Sequence, residues 1–146
     1  MSASNKNFGF YRRQLGRLTI TALFDGYINT PLSDLTGIAN SKAEELYNSH
    51  SRHRPSLLTM TTFAVSNGET TVLIDVGGTP ELDPDLGLRN SNMLAAGIDP
   101  QQVSSILLTH LHTDHYGSLI ESDGTVTFPN AELIVPTDEI PFRLEP

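Results

Sequence analysis

The run Thr109-His110-Leu111-His112-Thr113-Asp114-His115-Tyr116-Gly117 decides how this chain is read, and it follows directly on the apolar segment Ser105-Ile106-Leu107-Leu108. Three of the chain's five histidines fall within six residues here, with an aspartate among them. In extended backbone, residues i and i+2 point the same way, so His110 and His112 can grip one ion together. A helix or tight turn beginning near Thr113 aims Asp114 and His115 at a second ion beside the first. Neutral imidazole and carboxylate suit zinc, and also manganese, iron or cobalt. Two such ions about 3.5–4 Å apart can share a water and deprotonate it near neutral pH. A single histidine in a polar loop is most simply solvated. Three with an aspartate at this spacing, straight after an apolar strand, read as a ligand set.

Working outward, residues 105–108 read as a buried strand, and the segment before it carries helix punctuation. Asp99 and Pro100 suit the cap and first turn of a short helix, while residues 88–96 read as a helix that Gly97 stops. Residues 57–65 are rich in Thr, Val and Phe, and 70–76 form a nearly continuous apolar run; Asn67-Gly68 between them is a hairpin signal. The second run reaches Asp75 and opens into Gly77-Gly78. Further upstream, residues 18–24 alternate apolar residues with Thr as a half-buried strand does, and Asp25-Gly26 supplies turn chemistry to end it. Residues 30–56 are polar and broken by proline and glycine, with a short helix predicted over 41–47, capped by Ser41 with Glu44 three residues on. Downstream, 126–128 and 132–135 are short strand candidates. Strands alternating with helices point to an α/β architecture.

Composition narrows the chemistry. With 146 residues, 38% hydrophobic and 18% charged, the chain suits one soluble globular domain. It has no cysteine, so thiolate metal sites, cysteine nucleophiles and disulfides are excluded, and any metal must be held by His and carboxylate. A formal net charge of −8 repels phosphate backbones, so no nucleic-acid partner is expected. The basic clusters Arg12-Arg13 and Arg52-His53-Arg54 are too short for a binding stripe and read as solvated loops. No stretch approaches the ~18 apolar residues of a membrane span, and no apolar segment of a signal peptide follows Met1. The expectation is a cytoplasmic protein acting on a small molecule, without a membrane partner.

The segment from Thr109 to Gly117 resembles, position by position, the signature of the metallo-β-lactamase superfamily. Leu73-Ile74-Asp75-Val76-Gly77 resembles the family's strand and Asp-Gly turn, and residues 95–108 resemble its approach to the metal loop. Tyr11-Arg12-Arg13, Leu15-Gly16 and residues 21–26 are similar to one branch, that of methyl parathion hydrolase and the quorum-quenching lactonase-like proteins. Similarity runs over most of residues 8–142. The resemblance implies an α/β (α+β) fold, the αββα sandwich, with two divalent metal ions at the edge between two sheets. Zinc is the expected metal, and manganese, iron or cobalt also suit the set. His110 and His112 would serve one ion, Asp114 and His115 the other. Asp75 would orient a ligand by hydrogen bonding, or would simply form the turn before Gly77.

The chain departs from the family pattern in three ways. Thr113 stands where Pro is frequent, and Ser118 where a second Gly is usual. Only 31 residues follow His115, and none is His. The family pattern needs a further His for the first ion, a bridging Asp and a last His. Asp123 and Asp138 lie in the wrong context, and His50 and His53 read as solvated. Residues 1–146 therefore resemble the N-terminal half of one such domain, with 1–56 a strand-and-loop region and 57–146 a core bearing the metal motif. Its sheet is expected to present an uncovered apolar face, which a homodimer would bury. The implied function is hydrolysis of an ester, lactone or phosphotriester by a metal-bound hydroxide, with Asp114 passing a proton to the leaving group. The alternative is a non-catalytic metal-binding half-domain, inactive without the missing ligands.

Overall fold

A computed structural model describes residues 9–50 and 57–144; Arg52, His53, Arg54 and the first eight residues lie outside them. Six strands, β1 (Phe10–Leu15), β2 (Leu18–Asn29), β3 (Leu57–Ser66), β4 (Thr71–Ile74), β5 (Val103–Leu107) and β6 (Glu132–Ile134), form one sheet in sequence order. β1 to β4 pair antiparallel, and β5 and β6 add in parallel. The helices are α1 (Asn40–Ser49), α2 (Arg89–Ala95), the single turn α3 (Thr113–Tyr116) and α4 (Glu139–Leu144). Among the described residues no helix is long and apolar enough to cross a membrane.

The two faces of the sheet follow from the period-2 pattern. Register places Thr21, Ala64, Leu73 and Ile106 in one cross-strand row, and all four are buried. Ala64, Leu73 and Ile106 join Leu23, Val103 and Met93 of α2 in the core, where each large aliphatic side chain contributes about 1.5–3 kcal/mol by leaving water. The adjacent row, Tyr11, Ala22, Phe63, Ile74, Leu107 and Ile134, faces the other way. Phe63, Leu107 and Ile134 each keep about two-fifths of their surface in solvent, so this face is apolar and open.

Most of the punctuation behaves as its chemistry dictates. Gly97 has φ +75° just past α2, and the Asp99 carboxylate accepts from Gln101 N at 2.9 Å at the head of a single 3-10 turn, Pro100–Gln102. Asn67 closes the β3–β4 hairpin by accepting from Glu69 N and Thr70 N. Four expectations need correction. Asp25-Gly26 does not end the strand: β2 continues to Asn29 across a β-bulge between Phe24 and Gly26. Arg12 and Arg13 sit on β1 rather than in a loop, and the Arg12 guanidinium donates to Ala96 O at the end of α2. α1 starts at Asn40 with Ala39 at its N-cap, and Ser41 makes no capping bond. Residues 126–128 form no strand, only one bridge between Val126 and Ile120.

Candidate metal centre

Parallel pairing of β4 with β5 sets Ile74 beside Leu107, so the segments leaving the two strands emerge side by side. This is where an α/β sheet collects functional groups. The segment after β4 is Asp75–Gly78; the segment after β5 is Thr109–His115. Asp75 adopts φ +57°, the only non-glycine with positive φ among the described residues. That conformation costs about 1–2 kcal/mol for a residue with a Cβ, and it turns the carboxylate toward the neighbouring segment. There Asp75 Oδ1 accepts from Thr109 N at 2.8 Å, and Oδ2 accepts from Thr109 Oγ1 at 2.8 Å. The same Oδ2 lies 2.8 Å from His115 Nδ1. Asp75 is thus both the special turn residue and the group that orients His115.

The chain bends at Thr109 and His110, and is extended at His112 (φ −87°, ψ 147°) just before α3. Leu111 turns into the core, and its N–H is held by Glu139 Oε2 at 2.9 Å. His110 and His112 come together, with His110 Nε2 2.9 Å from His112 Nδ1. α3 then begins at Thr113, as expected, and sets Asp114 Oδ2 3.3 Å from His115 Nε2. The His110 and His115 rings lie 3.9 Å apart between centroids, so the two donor pairs are neighbours. An apolar cleft of about 400 Å³, lined by Leu108, Leu111, Tyr116 and Val135 among others, lies beside the loop.

These residues fit a metal as two pairs. His115 donates Nδ1–H to Asp75, which leaves the Nε2 lone pair bare on the side of Asp114. Two donors on one zinc ion with ~2.05 Å bonds stand about 3.3–3.4 Å apart in a tetrahedron and about 2.9 Å apart in an octahedron. The separations of 3.3 Å and 2.9 Å match these two edges. Among the described residues, however, no three His, Asp or Glu side chains gather as one cage. His50 instead caps α1, with Nδ1 2.8 Å from Leu46 O, and Asp123 forms a turn with Thr125.

The model of the metallo-β-lactamase superfamily matches residues 58–131, about half the chain and the whole of this loop. The chain belongs to the metallo-β-lactamase superfamily. Solved structures of the superfamily agree in fold. The hydrolase AbOPH is 34% identical over 97% of this chain and 49% of its own, with a TM-score of 0.89. AidC, a dizinc quorum-quenching lactonase solved with the product N-hexanoyl-L-homoserine, is 25% identical over 92% of this chain and 47% of its own, with a TM-score of 0.83. The chain therefore spans about half the length of these structures. No curated protein matches it significantly.

Two residues beneath this superfamily loop escaped the sequence reading. Asp25, taken for a turn residue, is fully buried, and its carboxylate accepts from Gly78 N at 2.8 Å and Arg89 N at 3.0 Å. Desolvation raises its pKa above 3.8, opposed by those backbone N–H groups and by the Arg89 charge. Arg89, at the start of α2, is 1% exposed; Nε donates to Val76 O at 2.8 Å, and the guanidinium lies 4.9 Å from the Phe128 ring centroid. Burial pulls Arg89 down to about 10, so it stays charged at neutral pH. Ser118, which stands where a second Gly is usual in the family pattern, is buried too, and its hydroxyl donates to Gly78 O. The one available signal for Asp25 was an acidic residue with apolar Phe24 before it and Tyr27-Ile28 after it.

Proposed function

We propose that this chain supplies the first donor set of a metal-dependent hydrolase acting on an ester, lactone or phosphotriester bond. One observation carries the reading: two donor pairs at metal-edge separations, one of them fixed by the Asp75–His115 hydrogen bond. AbOPH, a hydrolase, and AidC, a dizinc lactonase, support it by similarity. His110 Nε2 and His112 Nδ1 would hold one ion, and Asp114 Oδ2 and His115 Nε2 another. Zinc suits the imidazole-rich set best, and manganese, iron or cobalt also suit it. Metal bound there would activate water and polarise the substrate oxygen. Within the chain, Asp75 keeps His115 in the Nδ1–H tautomer. Asp114 carries one carboxylate oxygen toward His115 and has a second with which to pass a proton to a leaving group. The net charge of −8 favours a small uncharged substrate over nucleic acid. A cytoplasmic setting, and a homodimer through the open face, belong to the same reading; a clean monomer on size-exclusion chromatography removes the dimer.

A second reading, a non-catalytic metal-binding half-domain, is favoured by the donor count, since only two donors meet at each pair. Metal content and turnover separate the two. With zinc or manganese added, the purified chain is expected to hold close to two ions and to hydrolyse a lactone, an aryl ester or a phosphotriester, and His112→Ala is expected to lose that activity. Metal well below one per chain, with wild type and His112→Ala equally inert, overturns the hydrolase reading in favour of the second.

A further inference from the structure

Asp25 and Arg89 are the most deeply buried charged side chains among the described residues, and the hydrolytic reading leaves both unused. Burying a charge is costly, and an apolar pair of similar volume often serves stability as well. Their contacts point to a different use. Arg89 Nε holds Val76 O at 2.8 Å, and Asp25 Oδ2 holds Gly78 N at 2.8 Å. Between those anchors sits Gly77 (φ +82°), where a Cβ would stand 2.5 Å from Asp25 Oδ2, so the carboxylate presses directly on this backbone.

The clamped segment in turn holds α3. Val76 N donates to His115 O at 2.8 Å, Ser118 N donates to Gly77 O at 3.2 Å, and the Ser118 hydroxyl donates to Gly78 O. The Arg89 guanidinium reaches Ser118 O at 3.4 Å as well. A four-residue turn cannot hold itself in place, because helix nucleation is unfavourable at that length. Its position comes from residues 76–78. The other donor pair is anchored elsewhere: Leu108 N donates to Ile134 O, and Leu111 N to Glu139. His110 meets the Asp75 network through Thr109 Oγ1, 3.0 Å from its Nδ1, and through ring contact with His115, but no hydrogen bond ties it to residues 76–78.

We propose that Asp25 and Arg89 are positioning residues for the Asp114–His115 donor pair and leave the His110–His112 pair independent of them. This rests on the metal-binding reading for its purpose, but its test does not. Nitrogen-15 long-range correlation spectra of the metal-free protein report the tautomer of each histidine ring. Wild type is expected to show His115 protonated at Nδ1. In Arg89→Met and Asp25→Asn, His115 is expected to move to a mixed tautomer while His110 and His112 keep their wild-type tautomers. Arg89→Lys, which retains charge and stem, is expected to restore His115 in part; it carries the comparison if the Met variant does not fold. Zinc titration of the same variants should show one binding step weakened by about 10–100-fold and the other unchanged. If all three rings change tautomer together in a folded variant, or none does, the proposal is overturned. If wild type binds no zinc while His115 alone responds, the positioning claim stands and the metal reading falls.

Discussion

Gly26 is the position at which the site's scaffold is most exposed to a single methyl group. It lies in the bulge of β2 with φ +138°, and a Cβ added there would stand 1.8 Å from Asp85 O, 2.8 Å from Asp85 C and 2.9 Å from Leu86 Cα. All three are backbone atoms, so no side-chain rotation relieves the overlap, and residues 85–86 must move. That movement breaks the Tyr27 N–Asp85 O hydrogen bond of 3.1 Å and drags Leu86, 3% exposed, out of its packing. Gly26→Ala therefore combines about 1–3 kcal/mol for the backbone conformation, about 0.5–1.5 for the hydrogen bond and up to about 1.5–3 for Leu86. The expected loss is about 3–7.5 kcal/mol, a large part of the ~5–15 kcal/mol that holds a domain of this kind together. Gly16→Ala is the control, since Gly16 has φ +59° but nothing within 4 Å of the added Cβ. It should lose only the conformational part, about 1–2 kcal/mol. Urea unfolding followed by circular dichroism, with unchanged m-values, measures both. Equal losses at the two positions would refute the close-approach argument and leave backbone conformation as the whole effect.

Three further outcomes follow from the site. Thr109→Val removes the hydroxyl that Asp75 accepts at 2.8 Å while preserving shape; a loss of about 1.5–3 kcal/mol is expected, and an unchanged urea midpoint would show that the carboxylate is held by Thr109 N alone. Asp75→Asn tolerates the positive φ but replaces the carboxylate facing His115 Nδ1, so zinc affinity should fall by about 10–100-fold with little change in fold; calorimetry showing wild-type affinity contradicts it. Asp25 has a pKa raised in the fold by desolvation, so the native state binds its proton more tightly than the unfolded chain does. Its contribution is fully present below the ordinary value near 3.8 and is lost as pH rises through the raised one. The stability of wild type relative to Asp25→Asn should therefore decline across that window and then level off, and urea titrations giving a pH-independent difference exclude the effect.

The sequence was informative where chemistry repeats over short distances. Alternation in 18–24 and 57–65, the apolar runs before Asp75 and Thr109, and the Gly97 and Asp99-Pro100 punctuation each depend on neighbours a few residues away, and these elements appear where expected. The histidine-rich loop belongs to the same class: the i, i+2 spacing of His110 and His112 and the turn from Thr113 indicate which side chains come together, before any tertiary contact is known. β1 was invisible for the opposite reason. Tyr11, Arg12 and Arg13 carry no apolar alternation, and the strand exists because β2 offers an edge to pair with. The 126–128 segment shows the converse, an apolar triplet that finds no partner strand and makes a single bridge.

Asp25 marks the boundary between the two kinds of information. Locally, Asp-Gly after an apolar run is turn chemistry, and that reading is sound for the dipeptide alone. What reverses it is a contact 53 residues away: the bare backbone at Gly77-Gly78 has N–H groups in need of acceptors and no side chains to supply them. A carboxylate fixed in β2 meets that need, and Gly26 beside it lets residues 85–88 come close enough to bring Arg89 in as well. The same glycines that make the segment after β4 able to approach the histidine-rich loop thus create the demand that Asp25 satisfies. A buried acid inside a strand and a glycine pair after another strand are each ambiguous alone. Together, on neighbouring parts of one sheet, they specify how the Asp114–His115 turn is held.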